Sequence, residues 1–389
     1  QAPAADLIES GGDVRARLSD NASARAQYEA LLELMDSFEG TDWARRRATA
    51  QRKIGGTYEH QGSMDTAMLW YMRALDTLAA LDSNAVALER ARLLSDLGWL
   101  YFRRNELEPA RQELEAALVL TTALDAHELA AQIHNRIGGL AWAQGDLATA
   151  HHYVEQRLIN TQQAGDLAGQ ASAYNNLGII AETQGRQDDA LAYSQQALAI
   201  SEQIGNLREA AIAANTSGMA LYNAGQPEQA RGWFAQAHER ATAVRDTYFG
   251  MVALLNMSRA LARLGRWEET ERTVRQSQFI AAQMNLPIVQ LAGQTVLAEA
   301  ALDKGDLEAA VREYHTAHAL AADESEEYAR FLRVGARIAH ARGDVQECER
   351  RLGEAESLFD QLQNVPELER TRALRTTLGP PCACSKEHA

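Results

Sequence analysis

Apolar residues recur along most of the chain at i, i+3, i+4 and i+7, the spacing of an amphipathic helix facing a core. These apolar runs are punctuated at regular intervals. A glycine, once an asparagine, followed by polar residues and then a small residue, falls at Gly62, Asn105, Gly145, Gly185, Gly225, Gly265, Gly305 and Gly343, with spacings of 43, 40, 40, 40, 40, 40 and 38. Chance does not produce five consecutive spacings of 40, so the chain reads as an internal repeat of helical hairpins. The glycine supplies the left-handed turn that ends the first helix.

Other positions keep the same register. Seven residues before each turn lies Gly55, Gly98, Gly138, Gly178, Gly218, Ser258, Ala298 or Ala336. Five after it lies Ala67, Ala110, Ala150, Ala190, Ala230, Thr270, Ala310 or Cys348. Nine after it comes a bulkier residue: Tyr71, Leu114, Val154, Phe234, Val274, Tyr314 or Leu352, with Ser194 the exception. Small residues let two helix axes approach, and the bulky one fills the gap beside them. Junctions between repeats carry Asp82, Asp125, Asp166, Asn206, Asp246, Asn285, Asp323 and Asn364, expected to cap the following helix. Asp125 with Glu128, Asn206 with Glu209 and Asp323 with Glu326 have capping-box spacing. Pro287 and Pro366 suit a first helical turn.

The clearest repeat, Ala171 to Asn206, resembles the tetratricopeptide repeat family through Gly178 in "NNLG", the turn Gly185, and Ala190, Ser194 and Ala197. The 40-residue period is similar to the long-helix subtype of Pins/LGN-type adaptors, kinesin light chains and MalT-type regulators. The resemblance implies an all-α, right-handed α-solenoid of about eight helix-turn-helix repeats with end caps, and a shared shape rather than a shared reaction. Residues 6–40 read as a degenerate N-terminal repeat or cap, 41–364 as the solenoid, 365–379 as a C-terminal capping helix and 380–389 as a disordered tail. No linker interrupts the middle, so no boundary is expected there.

In such solenoids the first helix of each repeat lines the concave wall. Its inward positions hold Trp99, Phe102, Trp142, Ile179, Met219 and Tyr222. They also hold Arg52, Arg92, Arg103, Arg259, Arg263, Arg330, Arg333 and Arg337, with Lys53 and Arg136 two residues before the small position. Asn175, Asn176, Asn215 and Asn256 stand where the family's asparagines hydrogen-bond a bound segment. The expectation is a groove with an apolar centre and basic ends, taking a partner segment that is apolar and acidic.

Composition narrows the rest. The net charge of −15 argues against a nucleic-acid backbone or an anionic membrane as partner. No run approaches the roughly 18 apolar residues of a membrane span. Cys348, Cys382 and Cys384 are too few for a disulfide framework. His315 with His318, and His151 with His152, lack further ligands at metal-site spacing. No phosphate-loop, dinucleotide-binding, metalloprotease or hydrolase-elbow motif occurs. No cofactor, no metal and no catalysis are expected. The first function expected is a protein-binding scaffold. The alternative is a sensor or autoinhibitory arm of a larger bacterial regulator of ATPase, kinase or cyclase type. The start at Gln1 reads as a processed or excised chain, with a cytoplasmic location expected and export after signal cleavage as the alternative. Dimerisation through the end caps is a further expectation.

Overall fold

The computed structural model describes residues 2–81, 83–321 and 325–378. They form nineteen helices and no strand among the described residues. They divide into two compact units, residues 1–165 and 166–389, at a place where the sequence shows no linker. The tail 380–389, with Cys382 and Cys384, lies outside the described residues.

The first unit is four antiparallel hairpins: α1 (Ala2–Arg17) with α2 (Asn21–Met35), α3 (Thr41–His60) with α4 (Met64–Leu78), α5 (Asn84–Arg103) with α6 (Leu107–Ala123), and α7 (His127–Ala143) with α8 (Leu147–Ala164). The second holds five: α9 (Leu167–Thr183) with α10 (Gln187–Gln203), α11 (Leu207–Asn223) with α12 (Pro227–Ala243), α13 (Thr247–Arg263) with α14 (Trp267–Gln283), α15 (Pro287–Lys304) with α16 (Leu307–His318), and α17 (Glu326–Ala341) with α18 (Val345–Gln361), closed by α19 (Val365–Leu378). Within each unit every helix packs on the next, and successive first helices touch one another. That is the α-solenoid plan.

The repeat marks have direct steric causes. All eight turn residues are left-handed, from φ 62° at Asn105 to 85° at Gly305. The small residue before the turn sits against the bulky one after it. A Cβ on Gly55 would lie 2.5 Å from the Tyr71 ring, on Gly98 2.8 Å from Leu114, and on Gly218 2.5 Å from Phe234. Gly12 meets Tyr28 in the same way, so residues before α3 form a hairpin with the same lock. Where Ser194 replaces the bulky residue, its hydroxyl bonds that of Ser217 at 2.7 Å. Cys348 is buried beside Ala336, Ala339 and Leu352, and His318 packs edge-on against Phe331.

The junction caps follow the expectation at Asp166, Asn206, Asp246 and Asn364, whose side chains accept from the backbone N–H three residues on. Elsewhere the expectation needs correction. Asp125 and Asn285 occupy the left-handed turn (φ 49° and 53°), so Ala126 and Leu286 take the cap position and no side chain caps. Asp82 and Asp323 lie outside the described residues; Ser83 and Ser325 cap instead. The Asn206–Glu209 box is half formed, because the Glu209 carboxylate accepts from Asn175 rather than turning back to the cap.

Candidate functional site

The inward faces of the two units differ. In the first, a hollow of about 570 Å³ is lined by Arg52, Arg92, Asp96, Glu128 and Arg136 among others, and its walls are ionic. Arg52 meets Glu89 at 2.8 Å and Asp96 at 3.1 Å; Arg136 meets Asp96 at 3.0 Å; Arg92 meets Glu89 at 3.2 Å. Arg103 pairs with Glu59 at 3.2 Å, and Lys53 with Glu9 and Asp13. Trp99 and Phe102 pack with their rings tilted at 32° and centroids 5.1 Å apart, both half-buried, and Arg136 lies over Trp99 at 5.9 Å. Trp142 is 41% exposed. None of the three rings lines the hollow. Trp99, Phe102 and Trp142 thus stand apart from this ionic hollow.

A mainly apolar cleft lies in the second unit. There the inward faces of α9, α11, α13 and α15 enclose a cavity of about 380 Å³. Ile179, Ile212, Met219, Val252, Leu255, Ile288 and Val289 make it apolar, and Tyr248 and Phe249 add rings. Each comes from the inward stripe of a first helix, so the 40-residue repeat delivers one apolar rung per hairpin. Of the residues expected from the sequence, Ile179, Asn215, Met219, Asn256, Arg259 and Arg330 line this cavity. Asn256 donates to the Asn215 Oδ1 at 3.0 Å and accepts from Arg259 at 2.8 Å. Asn175 does not reach it: it is 1% exposed and donates to the Glu209 carbonyl and carboxylate, stitching α9 to α11. Asn176 is half-buried outside the lining.

One end of the cavity is charged; the sequence pointed to its Arg259 and Arg330 but not to its carboxylates. The start of α17 brings Glu326, Glu327 and Arg330 against Glu182 at the end of α9 and Arg259 on α13. One terminal nitrogen of Arg259, Nη2, donates to both Glu327 carboxylate oxygens at 2.6 Å. Arg330 donates to Glu326 and Glu327. Behind them Glu367 on α19 takes Arg333, Arg330 and Arg370. Burial works to raise the Glu327 carboxyl, but Arg259 and Arg330 outweigh it and hold it below the usual range. Glu367 is held well below that range by the same competition, burial against Arg333 and Arg330.

The carboxyl-terminal helix also reaches across the unit. Arg370 donates to Asn223 at 2.6 Å and lies over the Tyr222 ring at 4.9 Å, with Arg263 on that ring at 3.9 Å. Val365 packs at Gly185, the turn between α9 and α10. Arg263 donates to the Tyr222 carbonyl. Arg337 pairs with Glu299 and Asp303. The inward arginines expected to form free basic ends are thus engaged by the chain's own carboxylates, carbonyls and rings. The pairing signal was in the sequence: acidic residues outnumber basic ones, and an arginine turned toward a buried wall needs a partner.

No helix among the described residues is long and apolar enough to cross a membrane. Three stretches, residues 129–203, 11–80 and 251–276, match models described as tetratricopeptide repeat. No curated protein sequence matches the chain. Solved structures with a similar fold include the apo form of RapI, with TM-score 0.73 and 11% identity over 92% of this chain and 98% of that one. The Rap conjugation gene regulator of the plasmid pLS20, in complex with the Phr* peptide, gives 0.55 and 15% over 94% and 98%. A signal transduction ATPase with a tetratricopeptide repeat sensor from Pyrococcus horikoshii gives 0.52 and 14% over 88% and 55%.

Proposed function

Since the chain is a tetratricopeptide-repeat protein, we propose that it is a non-enzymatic binding module whose second unit takes a short apolar segment of a partner protein. The observation that carries this reading is the apolar cavity on the inward faces of α9, α11, α13 and α15. The cleft, of about 380 Å³, falls within the range of clefts that hold small ligands, and its walls are mainly apolar. It holds several apolar side chains, with the Asn215–Asn256 pair beside them as a source of backbone hydrogen bonds. A neighbour of the same fold, the pLS20 regulator, is solved with a peptide bound, which supports the choice of a peptide-like ligand. The hairpins are braced by neighbours before any ligand arrives, so the ordering cost falls mainly on the segment that binds.

The test is peptide selection from a random display library on the immobilised protein, followed by calorimetry. Selected peptides are expected to carry apolar residues and to lose at least about tenfold in affinity to Val252→Trp, which fills the cavity, with unchanged circular dichroism. Trp99→Ala with Trp142→Ala is expected to leave them unaffected. Peptides that bind Val252→Trp as tightly as the parent protein refute the reading.

A second reading, a sensor arm of a larger regulator, is favoured by one observation. The fold extends over 88% of this chain and only 55% of the signal transduction ATPase, which carries a tetratricopeptide repeat sensor. A sensor arm uses the same cavity, so the two readings share the test above and separate on whether the gene continues into a nucleotide-binding domain.

A further inference from the structure

Building on the proposed groove, we infer that the segment it accepts carries a positive charge, a lysine, arginine or terminal amine flanked by apolar residues, and that Glu182 is its partner. This reverses the acidic partner expected from the sequence.

Most charged groups at the cavity end already hold a partner. Three carboxylates line it, Glu182, Glu326 and Glu327, against two guanidiniums, Arg259 and Arg330. Both guanidiniums are occupied. Arg259 gives Nη2 to Glu327 and Nη1 to Asn256, and Arg330 divides its donors between Glu326 and Glu327. Glu326 also accepts from Asn364. Glu182 is left with the neutral amide of Asn223, which donates to it, and among the described residues no cation lies within ion-pair distance of its carboxylate. The Asn223 amide is itself positioned from the other side, because its oxygen accepts from Arg370.

A carboxylate in an apolar wall without a counter-ion is costly to ionise. Burial, then the neighbouring Glu326 carboxylate, push the Glu182 pKa up to about 7, against the Asn223 hydrogen bond and the more distant charge of Arg330. Glu367 on α19 adds to the upward push. A cation brought by a ligand relieves that cost and meets a desolvated partner, where an ion pair is stronger than at an exposed surface. An acidic ligand meets three carboxylates and two guanidiniums that are already paired. The surrounding surface sets the rest of the ligand. Ile179 stands one turn from Glu182 on α9, and Ile212 and Met219 lie across from it on α11. The positive group must therefore sit next to aliphatic side chains.

The experiment selects peptides from a random display library on the parent protein and on Glu182→Gln, then measures the best parent-selected peptide with its cationic residue intact and changed to glutamine. Glutamine keeps the size of Glu182 and can still accept from Asn223, and Glu182→Asp serves as a charge-retaining control for folding. Expected is enrichment of lysine or arginine beside apolar residues only on the parent protein. The cation-to-glutamine change is expected to cost at least about tenfold on the parent and on Glu182→Asp, and little on Glu182→Gln. Binding of the cationic peptide is also expected to be about tenfold tighter at pH 8 than at pH 6, as Glu182 ionises. Selected peptides that are neutral or acidic, or a cation whose removal costs the same on the parent and on Glu182→Gln, overturn the inference while leaving the groove intact. Peptides indifferent to Val252→Trp overturn the groove and this inference with it.

Discussion

The contact between Gly218 and Phe234 offers a quantitative test of what holds each hairpin together. Replacing Gly218 with alanine places a Cβ 2.5 Å, 2.6 Å and 3.0 Å from three carbons of the Phe234 ring. Carbon atoms rest at about 3.5–4.0 Å, so the ring must retreat by about 1 Å. Phe234 is 0% exposed, and a buried ring cannot swing into water. Overpacking of this kind costs about 1–3 kcal/mol. Against it stands the gain of about 1 kcal/mol from replacing a helical glycine with alanine. Gly232, on the helix that carries Phe234, isolates that gain, because a Cβ there meets nothing within 4 Å. Gly232→Ala should therefore stabilise by about 1 kcal/mol, and Gly218→Ala should fall below it by about 2 kcal/mol. Adding Phe234→Leu to Gly218→Ala should give a double variant at least about 1 kcal/mol more stable than the two single changes sum to. Guanidinium denaturation followed by circular dichroism measures all four. Equal midpoints for Gly218→Ala and Gly232→Ala would refute the steric account of the repeat.

Three further outcomes follow from the charged end and the turns. Glu182 has a raised carboxyl pKa, so its contribution is full below the unfolded value near 4.5 and is lost as pH rises to about 7. Glu182→Gln should match the parent at pH 4 and exceed it by about 3 kcal/mol at pH 8, and a constant difference across chemical denaturation at several pH values would contradict this. Arg259→Ala removes the cationic partner of the buried Glu327 and should destabilise by about 3 kcal/mol, partly restored by adding Glu327→Gln; the thermal midpoints of the single and double variants decide. Arg245 is exposed and left-handed, at φ 57°, where the equivalent junction positions are Gly165 and Gly205. Arg245→Gly should raise stability by up to about 1 kcal/mol, and a loss of stability would show that the backbone there is unstrained.

The sequence alone determined the hairpin, its period and its lock. Those features rest on contacts between residues about sixteen apart, such as Gly55 with Tyr71 or Gly218 with Phe234, and a strict repeat repeats its local contacts. It determined the turns too, since left-handed backbone selects glycine or asparagine at eight regular positions. It located the inward face, and with it Ile179, Asn215, Met219, Asn256 and Arg259. It did not determine which stretch of that face is open. Trp99 and Phe102 pack against one another in the first unit, whereas the smaller Ile212, Val252 and Ile288 line a cavity in the second. Nor did it determine the charge of the site. The partners of Arg259 and Tyr222 are Glu327 and Arg370, 68 and 148 residues away, beyond the reach of any one repeat. Periodicity describes how a hairpin meets the next. Which carboxylate is left without a counter-ion depends on where α17 and α19 come to rest, and only the folded unit decides that.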